Sequence, residues 1–258
     1  MPAEPIVILA TRNRTSYLLI NTLAAQYNVA AVVFQAKPFR KMLRYRLRTL
    51  GAWQVARQLL FVAYDRAFIR PRSKPQIDLL LAAHDDTPPD DRLRCLDVEN
   101  INSAAVRDLL TEIQPRCVVV SGTGIISKKV LALSPTFINV HVGITPRYRG
   151  VHGGFWAVWE GRPDLVGVTV HKIDPGVDTG AIIAQARVAF GTQETLRTLP
   201  VRQYLVALPL LTDAVAAALD GTLTTTTRDD LTSQQWFSPT LADYWRFRRN
   251  LRRQGNRS

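Results

Sequence analysis

Cysteine is scarce in this sequence, and long apolar runs are missing. Cys95 and Cys117 are the two cysteines among 258 residues, and neither belongs to a CxxC or Cys/His pattern, which excludes a disulfide framework and a zinc motif. No apolar run approaches the roughly 18 residues of a membrane span, and residues 1–5 contain no basic segment that leads into an apolar one. The four histidines form no ligand set, so we predict no metal. We therefore expect a reduced, soluble, cytoplasmic protein.

Glycine is absent from the first 50 residues, and its absence excludes two phosphate-binding motifs there. The turn after the first predicted strand, residues 10–15, has no glycine that would let a pyrophosphate approach the backbone. The sequence therefore predicts neither a dinucleotide fingerprint nor a Walker A loop. Arg12 and Arg14 in this turn either contact an anionic substrate through their side chains or belong to a solvated loop.

Positive charge is in excess but is confined to two segments. Lys+Arg number 33 against 21 Asp+Glu, a formal net charge of +12. Residues 36–75 hold eleven lysines and arginines against Asp65 alone, and residues 246–257 add six arginines without an acid. The rest of the chain is slightly acidic. The basic segments suggest an anionic partner, which is nucleic acid, membrane lipid or a phosphorylated small molecule.

Short β-branched runs alternate with helical patterns along the chain. The predicted strands are residues 6–10, 29–34, 92–98, 116–121, 137–142, 167–173 and 181–190. Buried strands separated by helices favour a parallel sheet, whereas the last two strands flank a turn-rich segment and are typical of a hairpin. The predicted fold class is α/β, a Rossmann-like, doubly wound, mostly parallel sheet with a basic helical insertion and a C-terminal helix and tail.

Helix boundaries follow from capping and breaking residues. Ser103 is a candidate N-cap for a helix over 103–113. A long helix over about 196–219 closes at Gly221, with Pro200 near its start and Pro209 at a kink. In the insertion, about 36–75, a second helix follows Gly51 and runs toward a proline breaker cluster at 71–75. Aromatic residues of the tail either pack on the domain or form a homodimer contact.

One segment carries residues suited to acyl transfer. Asn139 and His141 are two apart on a predicted strand, so their side chains share a face, and the carboxyl end of such a strand meets the ligand crevice of an open α/β sheet. Glycines around Asp178 would let the chain bring that carboxylate to the same crevice. His141 would accept a proton from an amine or stabilise an oxyanion as imidazolium, and Asn139 would donate to the oxyanion. A satisfied core histidine is the alternative interpretation.

Residues 139–180 resemble the formyltransferases that use 10-formyltetrahydrofolate. The matching elements are Asn-x-His at 139–141, Pro-x-Tyr-Arg-Gly at 146–150, Gly-Val-Thr-Val-His at 167–171 and Gly-Val-Asp-Thr-Gly at 176–180. The resemblance implies that Asn139, His141 and Asp178 are catalytic. It also implies that 10-formyltetrahydrofolate is the cosubstrate and that its pterin binds against Gly122, Thr123, Gly124, Ile125, Ile126 and Val177. We add Arg149 and His152 as candidate acceptor contacts and expect His171 to support the site from the neighbouring strand.

Departures from the family pattern narrow the expected acceptor. The glycine-rich loop used for the acceptor phosphate in glycinamide ribonucleotide formyltransferase is missing, and only a short segment follows Gly221 where methionyl-tRNA formyltransferases usually add a barrel. We therefore expect a small primary amine as acceptor, phosphorylated or linked to a nucleotide, most plausibly an amino sugar. A methionyl-tRNA formyltransferase-like enzyme and a formyltetrahydrofolate hydrolase stay open as alternatives.

The domain organisation is expected to be simple. Residues 1–221 would form the catalytic domain, and 222–258 a C-terminal extension. Outside enzymes, the basic insertion would suit a polyanion-binding or peripheral membrane-binding module with a vestigial fold.

Overall fold

The computed structural model describes residues 4–36 and 39–255, arranged as nine strands and eight α-helices. The strands are β1 (Ile6–Ala10), β2 (Val29–Gln35), β3 (Cys95–Val98), β4 (Cys117–Ser121), β5 (Phe137–His141), β6 (Arg149–Gly150), β7 (Gly167–Lys172), β8 (Ile182–Arg187) and β9 (Gln235–Trp236). The helices are α1 (Arg14–Ala24), α2 (Phe39–Tyr64), α3 (Arg70–Leu81), α4 (Ala104–Ile113), α5 (Lys128–Leu131), α6 (Gly153–Glu160), α7 (Thr198–Asp220) and α8 (Leu241–Gly255). Lys37, Arg257 and the side chains of Arg40 and Lys41, counted above in the basic segments, lie outside the described residues.

Seven strands form one sheet in the order β3-β2-β1-β4-β5-β7-β8. The first five of these are parallel, and β7 and β8 are added to β5 as an antiparallel hairpin. The predicted fold class is confirmed, including the hairpin. Because β1 and β4 lie next to each other and the chain leaves them toward opposite edges, their carboxyl ends open a crevice, and β5 ends beside it.

Alternating residues along the strands belong to two apolar cores, one on each face of the sheet. Ile6 and Ile8 of β1 belong to the larger core, which includes buried residues of α1 and α7, whereas Val7 and Leu9 belong to the smaller core, which includes buried residues of α4. All of β1 is fully buried because helices cover both faces.

The basic insertion is helical over a longer stretch than predicted. Gly51 (φ 79°) interrupts α2, which continues through a π-helical turn at Asp65–Ile69 into α3. The prolines expected to end the helix lie within α3. Pro71 directly follows the π-helical turn in the first turn of α3, and Pro75 lies in the interior of α3. The predicted helix breaker at 71–75 is therefore wrong, because α3 runs through both prolines and ends at Leu81.

Two helix boundaries were predicted from single residues. Gly221 ends α7 with a left-handed φ of 73°, as predicted. Ser103 occupies the N-cap position of α4, as predicted, although its hydroxyl makes no capping hydrogen bond. Asn13 caps α1 through a hydrogen bond: its Oδ1 accepts from Ser16 N at 3.0 Å.

One helix of the described part of the chain, α7, is long and apolar enough to cross a membrane by length and composition. It packs against β7, β5 and α1, and it contributes Leu199, Leu211 and Val215 to the larger core. These contacts are typical of the core helix of a globular domain.

The aromatic residues of the tail mostly pack on the domain. Phe247 is fully buried and stacks on Phe155 of α6 at 4.6 Å, and Tyr244 lies 5.7 Å from Phe61 of α2. Trp245 stays 55% exposed. The two cysteines are free: Cys95 is exposed at the start of β3, and burial raises the pKa of the Cys117 thiol in β4 to about 12.

Candidate active site

The site is built around the carboxyl end of β5. Asn139 and His141 point to one face of this strand because they are two residues apart, and β7 places His171 directly opposite Asn139. Sequence periodicity predicts the first pair. The position of His171 follows from the antiparallel register of β5 and β7.

Asp178 reaches the same point from the loop between β7 and β8. Its backbone has a left-handed φ of 51°, and a Cβ at neighbouring Gly180 would overlap the carbonyl oxygen of Lys172, so the loop is folded tightly over β7. Asp178 Oδ2 lies 3.4 Å from His141 Nδ1, and Asp178 Oδ1 lies 3.4 Å from Asn139 Nδ2. The structure thus brings together the three residues that the sequence predicts.

The electrostatics of the site keep Asp178 ionised. Burial by itself would raise the pKa of this carboxyl, but the charge of His141, hydrogen bonding by His171 and the N–H of Gly150 act in the opposite direction. Together they lower the pKa of Asp178 to about 2. A carboxylate of this kind stabilises positive charge beside it and is a poor proton acceptor near neutral pH.

Both ring nitrogens of His141 have partners. Nε2 lies 2.5 Å from the carbonyl oxygen of Tyr148, which can only accept, so Nε2 carries the hydrogen of this bond. Nδ1 faces Asp178. The ring is only 5% exposed. His141 is therefore held rigidly, and proton exchange with an amine at Nε2 requires the ring to leave the Tyr148 carbonyl.

His171 orients Asn139. Its Nδ1 donates to the carbonyl oxygen of Lys172 at 2.7 Å, and its Nε2 lies 3.1 Å from Asn139 Nδ2 and 3.5 Å from Asp178 Oδ1. The bond from Asn139 to Asp178 is longer and weaker, so its hydrogen is the one more easily given to another acceptor.

The loop between β5 and α6 supplies backbone groups to the site. Tyr148 gives its carbonyl oxygen to His141, and the N–H of Gly150 donates to Asp178 Oδ2 at 2.8 Å. Sequence reasoning did not assign these roles, because a backbone contact leaves no residue-type signal. The resemblance to Pro-x-Tyr-Arg-Gly was the available hint.

The C-terminal segment holds this loop. Strand β9 pairs with β6, so that Arg149 N donates to Gln234 O at 3.1 Å and Val151 N donates to Trp236 O at 3.2 Å. Trp236 stacks on Trp156 at 4.6 Å and donates its Nε1 to the carbonyl oxygen of Arg147 at 3.1 Å. Residues far apart in the sequence thus support the loop between β5 and α6, and no local pattern predicts their contact.

Arg149 links the loop to the backbone next to Asp178. Its Nη1 donates to the carbonyl oxygen of Val177 at 2.9 Å, whereas its Nε is buried without a hydrogen-bond partner. A buried, unpartnered guanidinium N–H is costly unless an acceptor reaches it.

The loop after β4 presents backbone with little side-chain bulk. It contains Gly122 (φ 75°) and Gly124, whose N–H donates to Gln35 Oε1 at 2.8 Å, and Ile125 is 63% exposed. Because β4 and β5 are adjacent and parallel, this loop lies next to the end of the strand that carries Asn139. Thr123 and Ile126 complete the predicted pterin segment.

The remaining candidate contacts are engaged within the protein. Arg12 pairs with Asp97 at 2.7 Å, and Arg14 pairs with Asp78 and Asp86, so internal carboxylates compensate both charges. His152 has a φ of 58° and starts α6, where its carbonyl oxygen accepts from Trp156 N. Their roles in substrate binding stay predictions. Over residues 4–36 and 39–255, no group of three or more His, Cys, Asp or Glu side chains is arranged so that it could hold a metal ion.

Residues 51–212 match the family model described as formyl transferase, well over half of the chain. This chain belongs to the formyl transferase family. A methionyl-tRNA formyltransferase from Solibacter usitatus (strain Ellin6076) is 33% identical over 136 residues, covering 52% of this chain and 43% of that protein. One from Desulforamulus reducens is 37% identical over 89 residues, covering 34% and 28%. The match thus spans less than half the length of these curated relatives.

Solved structures of the family share the fold. A sugar N-formyltransferase from Shewanella sp FDAARGOS_354 superposes with a TM-score of 0.59 and 16% identity, covering 96% of this chain and 88% of that one. A phosphoribosylglycinamide formyltransferase from Streptococcus pneumoniae TIGR4 gives 0.54 and 21%, covering 83% and 98%. An N-formyltransferase from Helicobacter canadensis, in complex with folinic acid and dTDP-3-aminofucose, gives 0.56 and 16%, covering 90% and 70%.

Proposed function

We propose that this protein is an N-formyltransferase that uses 10-formyltetrahydrofolate as formyl donor and a nucleotide-linked amino sugar as acceptor. The observation that carries the proposal is the convergence of Asn139 and His141 on the Asp178 carboxylate. An amide donor, an imidazole and a low-pKa carboxylate suit formyl transfer without a covalent enzyme intermediate.

The loop after β4 suits a flat heteroaromatic ring such as a pterin. Gly122 and Gly124 leave backbone uncovered, and the exposed Ile125 offers an apolar surface. On the other side of the site, Arg149 Nε lacks an acceptor. In this proposal the pterin binds at the loop after β4, with Val177 on the opposite side, and Arg149 contacts an oxygen of the donor or the acceptor.

The chain's own residues divide the chemistry as follows. 10-Formyltetrahydrofolate, when bound, supplies an activated formyl group. Asn139 donates to an oxygen that gains negative charge during amine attack, and His171 fixes its amide. Because the pKa of Asp178 is about 2, this carboxylate does not retain the amine proton near pH 7, so His141 is the proton acceptor of the set. Asp178 stabilises the resulting imidazolium.

The acceptor class rests on the fold comparison and on charge. The sugar N-formyltransferase from Shewanella sp superposes over nearly the whole chain, and the Helicobacter canadensis enzyme was crystallised with a nucleotide-linked amino sugar. Within our protein Arg12 and Arg14 are already ion-paired, so a phosphate at that turn would compete with carboxylates. We therefore propose that another cation, Arg149 in the first place, contacts the anionic part of the acceptor.

The test is release of tetrahydrofolate by the purified chain, measured with dTDP-amino sugars, with methionyl-tRNA and with no acceptor. We expect release only with an amino sugar nucleotide, together with its N-formylated product by mass spectrometry. Asn139→Ala should lower kcat by about 100- to 1,000-fold. Asn21→Ala serves as the matched control and should keep full activity, because the Asn21 amide donates to the carbonyls of Asp85 and Thr87 and to none of the site residues described above.

Two alternatives predict different outcomes of the same assay. The similarity to methionyl-tRNA formyltransferases favours tRNA as second candidate acceptor, and formylmethionyl-tRNA formed in place of a sugar product would refute our acceptor assignment. Release of formate at the same rate without any amine would instead make the protein a hydrolase. Full activity of Asn139→Ala would contradict all three versions.

A further inference from the structure

The second half of α2 has two apolar faces, and only one packs against the protein. Val55 and Phe61 are 3% exposed on the inner face, whereas Trp53 and Leu60 on the opposite side are 77% and 62% exposed. Exposed alanines at steps of three and four residues join them into a continuous strip along the helix. We call this strip the outer stripe: Trp53, Ala56, Leu60 and Ala63.

The orientation of the helix is fixed by its inner side. Gln58 Nε2 donates to the carbonyl oxygen of Ser238 at 2.8 Å, and the carboxylate of Asp65 pairs with Arg197 at the start of α7. The helix therefore cannot rotate to bury the outer stripe without breaking buried polar contacts.

Exposed arginines lie on the same helical segments as the outer stripe. Those with exposed side chains on α2, the π-helical turn and α3 are Arg44, Arg48, Arg57, Arg66, Arg70 and Arg72. Within the part of the chain that the structure describes, none of the six has a carboxylate partner. The Asp65 carboxylate nearby is buried and already paired with Arg197. These helical segments thus carry both the apolar stripe and an excess of positive charge.

A cleft of about 300 Å³ lies between the π-helical turn, α3 and α8. It is lined by exposed aromatic side chains, Phe68 and Trp245, and by Arg72 and Arg248, among others. Two arginines beside aromatic rings suit a phosphate whose attached chain is apolar.

We propose that the outer stripe and its arginines dock this protein on an anionic lipid bilayer. The apolar strip gains by leaving water at the interface, and the arginines gain from the negative surface potential. A second copy of the chain would match the stripe but would bring two rows of uncompensated arginines together. Nucleic acid would satisfy the arginines and leave the leucine and alanines of the stripe without an apolar partner.

Vesicle flotation tests the proposal on the full chain. The probes are vesicles of phosphatidylcholine alone and of an equal mixture of phosphatidylcholine and phosphatidylserine. We expect binding to the mixed vesicles that weakens as salt rises. Trp53→Ser with Leu60→Ser should weaken it by at least about tenfold. Arg57→Gln with Arg70→Gln should weaken it by about 25-fold, or about fivefold per arginine.

The matched charge control is Lys128→Gln with Lys129→Gln, which removes two exposed cations from α5 and should leave vesicle binding nearly unchanged. All variants change exposed side chains, so their circular dichroism should equal that of the parent. Absence of vesicle binding, or equal loss in the control, overturns the proposal. The proposal is also overturned if tRNA binds and its binding persists in the Trp53→Ser, Leu60→Ser variant. A dimer that dissociates when these two residues are changed would overturn it as well.

Discussion

Replacing Gly150 by alanine tests whether the contact between β6 and β9 maintains the catalytic geometry. Gly150 has a φ of 95°, and an added Cβ would overlap the carbonyl oxygen of Trp236 and lie 3.3 Å from both Trp236 C and N. The left-handed backbone costs a non-glycine residue about 1 kcal/mol. Because backbone atoms of Trp236 cannot rotate away, the two strands must separate.

The expected magnitude follows from the bonds lost. Strand separation affects three backbone hydrogen bonds, those of Arg149 N, Val151 N and Gln234 N, each worth about 1 kcal/mol. Adding the backbone strain gives a destabilisation of about 3 to 4 kcal/mol, or a decrease in Tm of about 10 °C for a chain of this size. Displacing the Gly150 N–H and the Tyr148 carbonyl by about 1 Å should lower kcat by about 100-fold.

Gly161→Ala is the matched control. Gly161 has a similar φ of 79°, but nothing lies within 4 Å of an added Cβ, so this variant isolates the backbone strain. We expect a loss of about 1 kcal/mol and normal kcat. Calorimetric unfolding and tetrahydrofolate release measure the two quantities. Equal destabilisation of both variants, or a folded Gly150→Ala enzyme with parental kcat, would refute the reasoning.

Three further predictions concern neighbouring residues. Because the folded-state pKa of Asp178 is about 2, below the ordinary 3.8, its ionisation contributes about 2 kcal/mol of stability above pH 4 that is lost as pH falls through about 2. Asp178→Asn should remove this part of the acid unfolding curve, and an unchanged curve by circular dichroism would contradict the assignment. His171→Leu should lower kcat by about tenfold with little change in KM, since it frees the Asn139 amide; a change confined to KM would argue against this positioning role. Trp236→Ala should lower the free energy of unfolding, measured with denaturant, by about 3 kcal/mol. Trp236→Phe keeps the ring stacking but loses the bond to Arg147 O, so it should lower the same free energy by about 1 kcal/mol. Equal losses in the two variants would exclude a contribution from the Trp236 N–H.

Local patterns were sufficient for the parts of the fold governed by local physics. The buried runs of β1 and β4 and the pairing of Asn139 with His141 on one face follow from β-branched composition and from the two-residue period of a strand. The left-handed end of α7 follows from Gly221 alone.

Features that depend on distant residues were not predictable in the same way. The pairing of Arg12 with Asp97 joins positions 85 apart, and two carboxylates that neutralise Arg14 lie similarly far along the chain. The helix across Pro71 and Pro75 persists because buried Ile69 and Ser73 hold it to the body of the protein, so packing overrides the local preference. The β6–β9 pair has two residues per strand, too few for any periodic signal.

The bond between Trp236 and the carbonyl of Arg147 joins residues 89 positions apart. During synthesis, which proceeds from the N-terminus, the seven-stranded sheet is complete in sequence once β8 has emerged, whereas β9 follows only after α7. The loop between β5 and α6 therefore gains its contact with β9 only after the strands of the sheet have been synthesised. A protease that cuts between α7 and β9 would in the same way separate the site from its support while leaving the sheet's own strands intact.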